Sequence, residues 1–457
     1  MPATLTGAFV ANLIEIHATA LARPGAIARM DDLVMDGIAV GLAGANEPGP
    51  ALLADQARGM MGGAEPAGAT LLAREGLLPP VVAARINGAA MHVLDYEPMW
   101  NPANHAVSTV LPALLALAET DGAAAMDGPA VLAAFATGIE AQARLRRASR
   151  QFEPGDLVFH PPSVVGPIGS AIACGLLLRL DAEALCHAVG IAASRAGGVL
   201  INVGSMTKAL HCGAAAADGL EAAQLAARGF TADPDVLDGP RGYLRAFFGD
   251  DTDKDALTVD APLAATDPGP AFKFYPSQYG THFVISAALA LRASLPDDAR
   301  IETVTITCPP MPYVDRPSPA SGLAGKFSFQ YVAAVALLDG RVNLASFTDA
   351  RRFRADVEAL LTRIKIKSDP AREGRFDRMR VDLEVQLGGG ARRRSMCDGP
   401  DGIWGRPVTG DRLATKARDC LVAAQMPADL LHELTHVSRL DATALRRLIG
   451  RLGREAR

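Results

Sequence analysis

Apolar residues recur at three- and four-residue spacings through most of residues 1–250. The stretches 26–42, 80–93, 106–119 and 208–227 each carry such a stripe, with Gly, Pro or Asp near their ends, and predict one packed helix after another. Period-two alternation is scarce there. The pattern changes after the Asp-, Pro- and Gly-rich stretch 262–270. "IETVTITC" (301–308), "RIKIK" (363–367) and "RVDLEVQL" (380–387) alternate polar and apolar positions. The last runs into Gly388-Gly389-Gly390 and an arginine run, a hairpin signal. Helical stretches at 329–338 and 355–361 intervene, and helical spacing returns from Gly410 onward. The expected fold is mainly α with a smaller α+β domain. A large all-helical domain takes residues 1–266, with 406–457 returning to it, and a lid-like α+β domain takes 267–405.

The length of 457 residues supports this division, because a single hydrophobic core rarely serves so long a chain. Hydrophobic residues make up 49%, which suits packed helices and argues against disorder. The net charge of −5 lacks the basic footprint of a nucleic-acid binder. Six scattered cysteines without a CxxC pair predict free thiols in a reducing compartment, not a disulfide or zinc framework. Apolar runs such as "PALLALAE" and "AIACGLLL" have core-helix lengths, short of a membrane span. No basic region followed by an apolar one opens the chain, so the expected location is cytoplasmic, with no membrane partner. The chain has seven lysines against thirty-eight arginines, and the first lysine is Lys208. Each lysine in so Arg-rich a chain invites a reason, since Arg holds its proton at neutral pH and a buried Lys need not.

Five segments could carry chemistry. "HVLDYEPMWNPANH" (92–105) sets histidines, acids and prolines on a helix-to-helix connection, which is either an active-site loop or a solvated one. In "LVFHPPSVVG", two prolines fix the backbone after His160; in isolation this reads more simply as a rigid turn. In "SMTKALHCGAAAADG", Lys208 and His211 share a helix face, with a lysine reaching for solvent as the plainer alternative. "FKFYPSQYGTH" places Lys273, Gln278 and His282 at the expected domain boundary, and "YVDRP" adds Tyr313 and Arg316. Ligands often bind at such boundaries. "HELTH" (432–436) matches the zinc-protease signature, but downstream only Asp441 and Glu455 could supply a third ligand, so a plain C-terminal helix is the expected reading.

Taken in order, "INGAAMHVLDYE", "HAVSTVLPALLALAE", "FHPPSVVGPIGSA", "TKALHCGAAAADGLEAAQLAARGF", "KFYPSQYGTH" and "YVDRP" resemble the MmgE/PrpD family over most of the chain. That family includes 2-methylcitrate dehydratase, cis-aconitate decarboxylase and iminodisuccinate epimerase. "FHPPSVVG", "YVDRP" and "FSFQYVAAVALLDG" look most like the decarboxylase branch. The resemblance implies a homodimeric lyase on a small di- or tricarboxylate, with no metal or other cofactor. Asp95, His105, His160, Lys208 and Tyr313 fall on the family's catalytic positions. Lys273 and Arg316 fall among groups expected to bind substrate.

Three departures stand out. Met99 replaces a threonine of the decarboxylase branch, Gln278 replaces a histidine, and Pro98 takes the place of a second acid on the loop. Met99 and Gln278 would make a less polar substrate site. An epimerase of an iminodisuccinate-like dicarboxylate remains open as an alternative. So, more distantly, does a non-catalytic helical interaction protein.

Overall fold

The computed structural model describes residues 4–61, 68–120, 126–152, 157–296, 299–406, 408 and 410–454. Nine helices make up most of the first half: α1 (Leu5–Thr19), α2 (Ala26–Gly44), α3 (Pro48–Met60), α4 (Pro80–Val93), α5 (Ala106–Ala118), α6 (Gly128–Ala148), α7 (Pro161–Leu177), α8 (Ala182–Ala193) and α9 (Met206–Ala226). Asp127 and Asp181 cap α6 and α8 by accepting from the amides of Ala130 and Ala184, each such cap contributing about 1 kcal/mol. Every residue of α5 and α7 is buried. Their sequences are apolar all round, as a helix at the centre of a bundle requires.

Small residues let α4, α7 and α9 approach closely. A Cβ added to Gly213 on α9 would lie 2.0 Å from the Arg85 carbonyl oxygen on α4, and one on Gly219 would lie 2.3 Å from Ser170 Cβ on α7. Overpacking such contacts costs about 1–3 kcal/mol. This closeness brings the ends of the three helices within side-chain reach of one another.

The second hydrophobic core lies around a four-stranded sheet in the order β4-β3-β5-β6, with β3 Ile301–Cys308, β4 Ile364–Ser368, β5 Val381–Leu387 and β6 Arg392–Cys397. The two-residue strands β1 (Ala69–Thr70) and β2 (Leu77–Leu78) form a separate ribbon. β3 pairs parallel with β4 and antiparallel with β5, and β5–β6 is the hairpin over the glycine run. Val304, Ile306, Leu383 and Val385 are buried, and the helices Tyr279–Ser294 and Phe329–Asp339 contribute to the same core. The helix Gly410–Ala424 puts Leu413, Ala417, Cys420 and Leu421 into the core of α1–α9. Met99 and Ala271 exchange backbone hydrogen bonds of 3.0 and 2.7 Å, tying the loop after α4 to the link between the cores.

One sequence expectation is corrected here. Leu5–Ala22 is 18 residues long with a mean hydropathy of 1.4, long and apolar enough to cross a membrane by length and composition. Phe9, Val10, Leu13 and Ile16 on that stretch are nevertheless buried in the helical core.

Candidate functional site

The site forms where four helix ends meet. His92 is in the last turn of α4, and Asp95 comes just after the C-cap residue Leu94. His105 and His160 occupy the N-cap positions of α5 and α7, and Lys208 lies in the first turn of α9. Three helix N-termini therefore face one region, and their dipoles favour anions there. Asp95 sits at φ 50, a left-handed conformation that Asp tolerates better than most residues. That turn reverses the chain at the end of α4 and sends the carboxylate back toward α9.

Asp95 is the electrostatic centre. Its Oδ2 accepts from Lys208 Nζ at 2.8 Å, and its Oδ1 accepts from Lys273 Nζ. Burial alone would raise the Asp95 carboxyl, but the two lysines outweigh it and hold the group well below the usual carboxylate range. Lys208 Nζ also lies 2.8 Å from His92 Nε2, and His92 Nδ1 faces Glu97 Oε1. Burial drives His92 down to about 4, against the pull of Glu97. A neutral His92 then donates from Nδ1 to the Glu97 carboxylate and accepts from the Lys208 ammonium at Nε2. Two of the three ammonium donors are thus committed, leaving one for a ligand.

Glu97 is fully buried. It also accepts from Ser108 Oγ at 3.1 Å, and His105 Nδ1 approaches it to 3.2 Å without an aligned hydrogen bond. Burial would raise its carboxyl, but His92 and His105 hold it well below the usual range. His160 Nδ1 lies 3.4 Å from His211 Nδ1, and burial, helped by Lys208, keeps His160 neutral, well below the usual histidine range.

These groups border a cleft of about 960 Å³ between the two cores. Asp95, Met99, His105, His160, Lys208, Gln278, Tyr313 and Arg316 all line it. Tyr313 and Arg316 stand on the side of the second core. Arg316 donates to the Tyr313 carbonyl at 2.9 Å and to the Val203 carbonyl at 3.2 Å, so it bridges the cores beside the opening. Gln278 accepts from the Thr281 amide at 3.2 Å as the N-cap of Tyr279–Ser294, and donates to Tyr313 Oη at 3.4 Å. Met99 is almost fully buried in the second core.

The structure revises three readings of the sequence. Lys273 does not line the cleft; it is wholly buried behind Asp95 and pairs with that carboxylate. The second acid of the loop is not lost at Pro98, because Glu97 supplies a buried carboxylate one residue earlier. His92, which opened the quoted loop without a role, joins Glu97 to Lys208. Its only local signal was a histidine three residues before Asp95.

Two donor groups among the described residues have metal-like spacing: His92, Glu97 and His105, and His92, His160 and Cys212. Both depend on His92, whose two ring nitrogens are already engaged by Glu97 and Lys208. Burial also pushes the Cys212 thiol up, away from the thiolate a metal needs. In "HELTH", the helix ends at Leu434, His436 falls beyond it, and Glu433 pairs with Arg451. Glu455 lies outside the described residues.

Residues 10–255 match the MmgE/PrpD N-terminal domain, and residues 275–435 match the MmgE/PrpD C-terminal domain. The chain is 36% identical over 350 residues to a cis-aconitate decarboxylase of Mus musculus and equally to one of Homo sapiens, covering 75% of this chain and 72% of each relative. It is 26% identical over 339 residues to a cis-aconitate decarboxylase of Aspergillus terreus, covering 69% of this chain and 68% of that protein. With both domains matched in order and relatives at this identity, the chain belongs to the MmgE/PrpD family.

Proposed function

We propose that the protein is a lyase, in the first place a carboxy-lyase, acting on a small unsaturated di- or tricarboxylate of the cis-aconitate kind without a metal or nucleotide cofactor. One observation carries the reading. The Lys208 ammonium is fixed by Asp95 and His92 in a cleft shared with His105 and His160, and Tyr313 and Arg316 border the same cleft from the other core. The relatives named cis-aconitate decarboxylase support the same class.

Decarboxylation breaks the bond between a carbon and one carboxylate. The electron pair stays on that carbon and spreads through an adjacent double bond toward a second carboxylate. Preorganised donors at the site of developing charge stabilise such a state, and water cannot reorganise to compete with them. Lys208 and Arg316 are the cations that would hold carboxylates and receive this charge. His105 is the nearby group placed to return a proton to carbon, and neutral His160 beside it would offer a hydrogen bond to the substrate. Tyr313 would add a hydrogen bond from the opposite wall. Asp95 and Glu97 act behind these groups by fixing Lys208 and the histidine rings.

The test is incubation of the purified protein with cis-aconitate, 2-methylcitrate and iminodisuccinate, followed by NMR, with and without prior chelation. Loss of CO2 that survives chelation is the expected result. Loss of water alone would move the protein to the dehydratase reading. Inversion without loss of CO2 or water would overturn the lyase reading, and zinc bound stoichiometrically through His432 and His436 would overturn metal independence.

A further inference from the structure

Four of the seven lysines converge on three consecutive residues. Lys208, Lys273, Lys326 and Lys416 are all buried, the most exposed at 8%. Lys326 Nζ donates to the Leu94 carbonyl at 3.0 Å. Lys208 and Lys273 hold the two oxygens of Asp95. Lys416 Nζ donates to the Tyr96 carbonyl at 2.7 Å.

The four come from separate parts of the chain. Lys208 is on α9, and Lys273 is in the link between the cores. Lys326 precedes the helix Phe329–Asp339 of the second core, and Lys416 is on Gly410–Ala424, packed in the first. Burying an ammonium is costly, and lysines are almost never fully buried without a partner. Two lysines on the Asp95 carboxylate belong to the site already described. The other two are aimed at the carbonyls of the residues on either side of Asp95, and a surface lysine would serve stability without that cost.

The backbone there needs holding. Asp95 is at φ 50, and a non-glycine residue in that region persists only when its surroundings over-determine it. Lys416 is itself fixed, lying 2.8 and 3.0 Å from the two Asp36 oxygens and 4.0 Å from the centre of the Tyr96 ring. We infer that Lys326 and Lys416 are positioning residues that clamp the Leu94 and Tyr96 carbonyls, one from each core, and so hold Asp95 turned toward Lys208. The site then takes its working shape only when both cores are packed against the loop. The turnover part of this inference rests on the proposed lyase activity; the clamp does not.

The experiment compares Lys326→Met and Lys416→Met with the unmodified protein by amide hydrogen exchange and by turnover of cis-aconitate. Lys416→Met leaves Asp36 buried and unpaired, so Asp36→Asn with Lys416→Met is made beside it as the charge-balanced variant. Amides of residues 94–97 and 99 should exchange at least about tenfold faster, with α5 and β3 unchanged. Displacing a supporting group by an ångström costs on the order of a hundredfold, so kcat should fall by about that factor while KM moves little. Unchanged exchange at 94–97 and 99 in both single variants would overturn the inference. So would faster exchange throughout the molecule, which marks a general packing role. If the unmodified protein does not turn over cis-aconitate, the proposed activity fails there, and the exchange measurement still decides the clamp.

Discussion

Glu97→Gln keeps the volume of a buried side chain and removes its charge. In the native protein Glu97 Oε1 faces His92 Nδ1, accepts from Ser108 at 3.1 Å, and lies 3.2 Å from His105. Losing a charged acceptor costs about 1.5–3 kcal/mol. If that loss falls on the transition state, it is roughly a ten- to hundredfold drop in kcat. The tautomer sets the upper end. A glutamine that turns its amide nitrogen toward His92 would force the proton onto Nε2, where it would meet the Lys208 ammonium now 2.8 Å away. A comparable tautomer reversal in serine proteases costs about 10⁴. The assay is NMR-followed substrate loss under saturating substrate, with ¹⁵N shifts of the histidine rings to report the tautomer and circular dichroism to verify the fold. A folded variant within about twofold of native kcat would refute the role given to the Glu97–His92–Lys208 chain.

Three further outcomes are expected. Lys208→Ala should abolish turnover with the fold intact, and Lys208→Arg should also fail, because the planar guanidinium needs more room and does not release a proton; near-native rates for the Arg variant would reduce Lys208 to an electrostatic anchor. Met99→Thr with Gln278→His should raise cis-aconitate decarboxylation from a weak native level, by roughly tenfold for each restored contact, although losing the Gln278 cap costs about 1 kcal/mol of stability; efficient decarboxylation by the native protein would show that these positions do not decide the substrate. Stability should fall as pH drops from 6.5 toward 4, since His92 binds its proton near 6.5 when unfolded but only at about 4 when folded. The unfolded chain therefore holds more protons across that window, a loss of about 3 kcal/mol from this residue alone. Asp95 and Glu97, held below the usual carboxylate range, stabilise fully above that range and add to the loss as pH falls through it. Urea melts with the same midpoint at pH 7 and pH 5 would contradict this.

Local pattern was enough to reveal much of this protein. Helical spacing over 80–93, 106–119 and 208–227 and alternation over 301–308 and 380–387 mark elements that the fold contains with ends shifted by a residue or two. These signals are local because each element buries one face or is buried all round, and its period is written in its own residues. Lys208 drew notice through the scarcity of lysine, and His105, His160 and Tyr313 through ordered motifs. What the sequence could not supply was direction. Asp95, Glu97 and Pro98 share one short loop, and only the left-handed turn at Asp95 decides which carboxylate meets the lysines and which meets the histidines. Lys273 carries the residue type of a substrate anchor, yet burial places it behind Asp95. Lys326 and Lys416 reach the loop from 232 and 320 residues away along the chain. Such contacts leave no periodic trace, because they are created only when the two cores and the returning C-terminal helix pack around the same three residues.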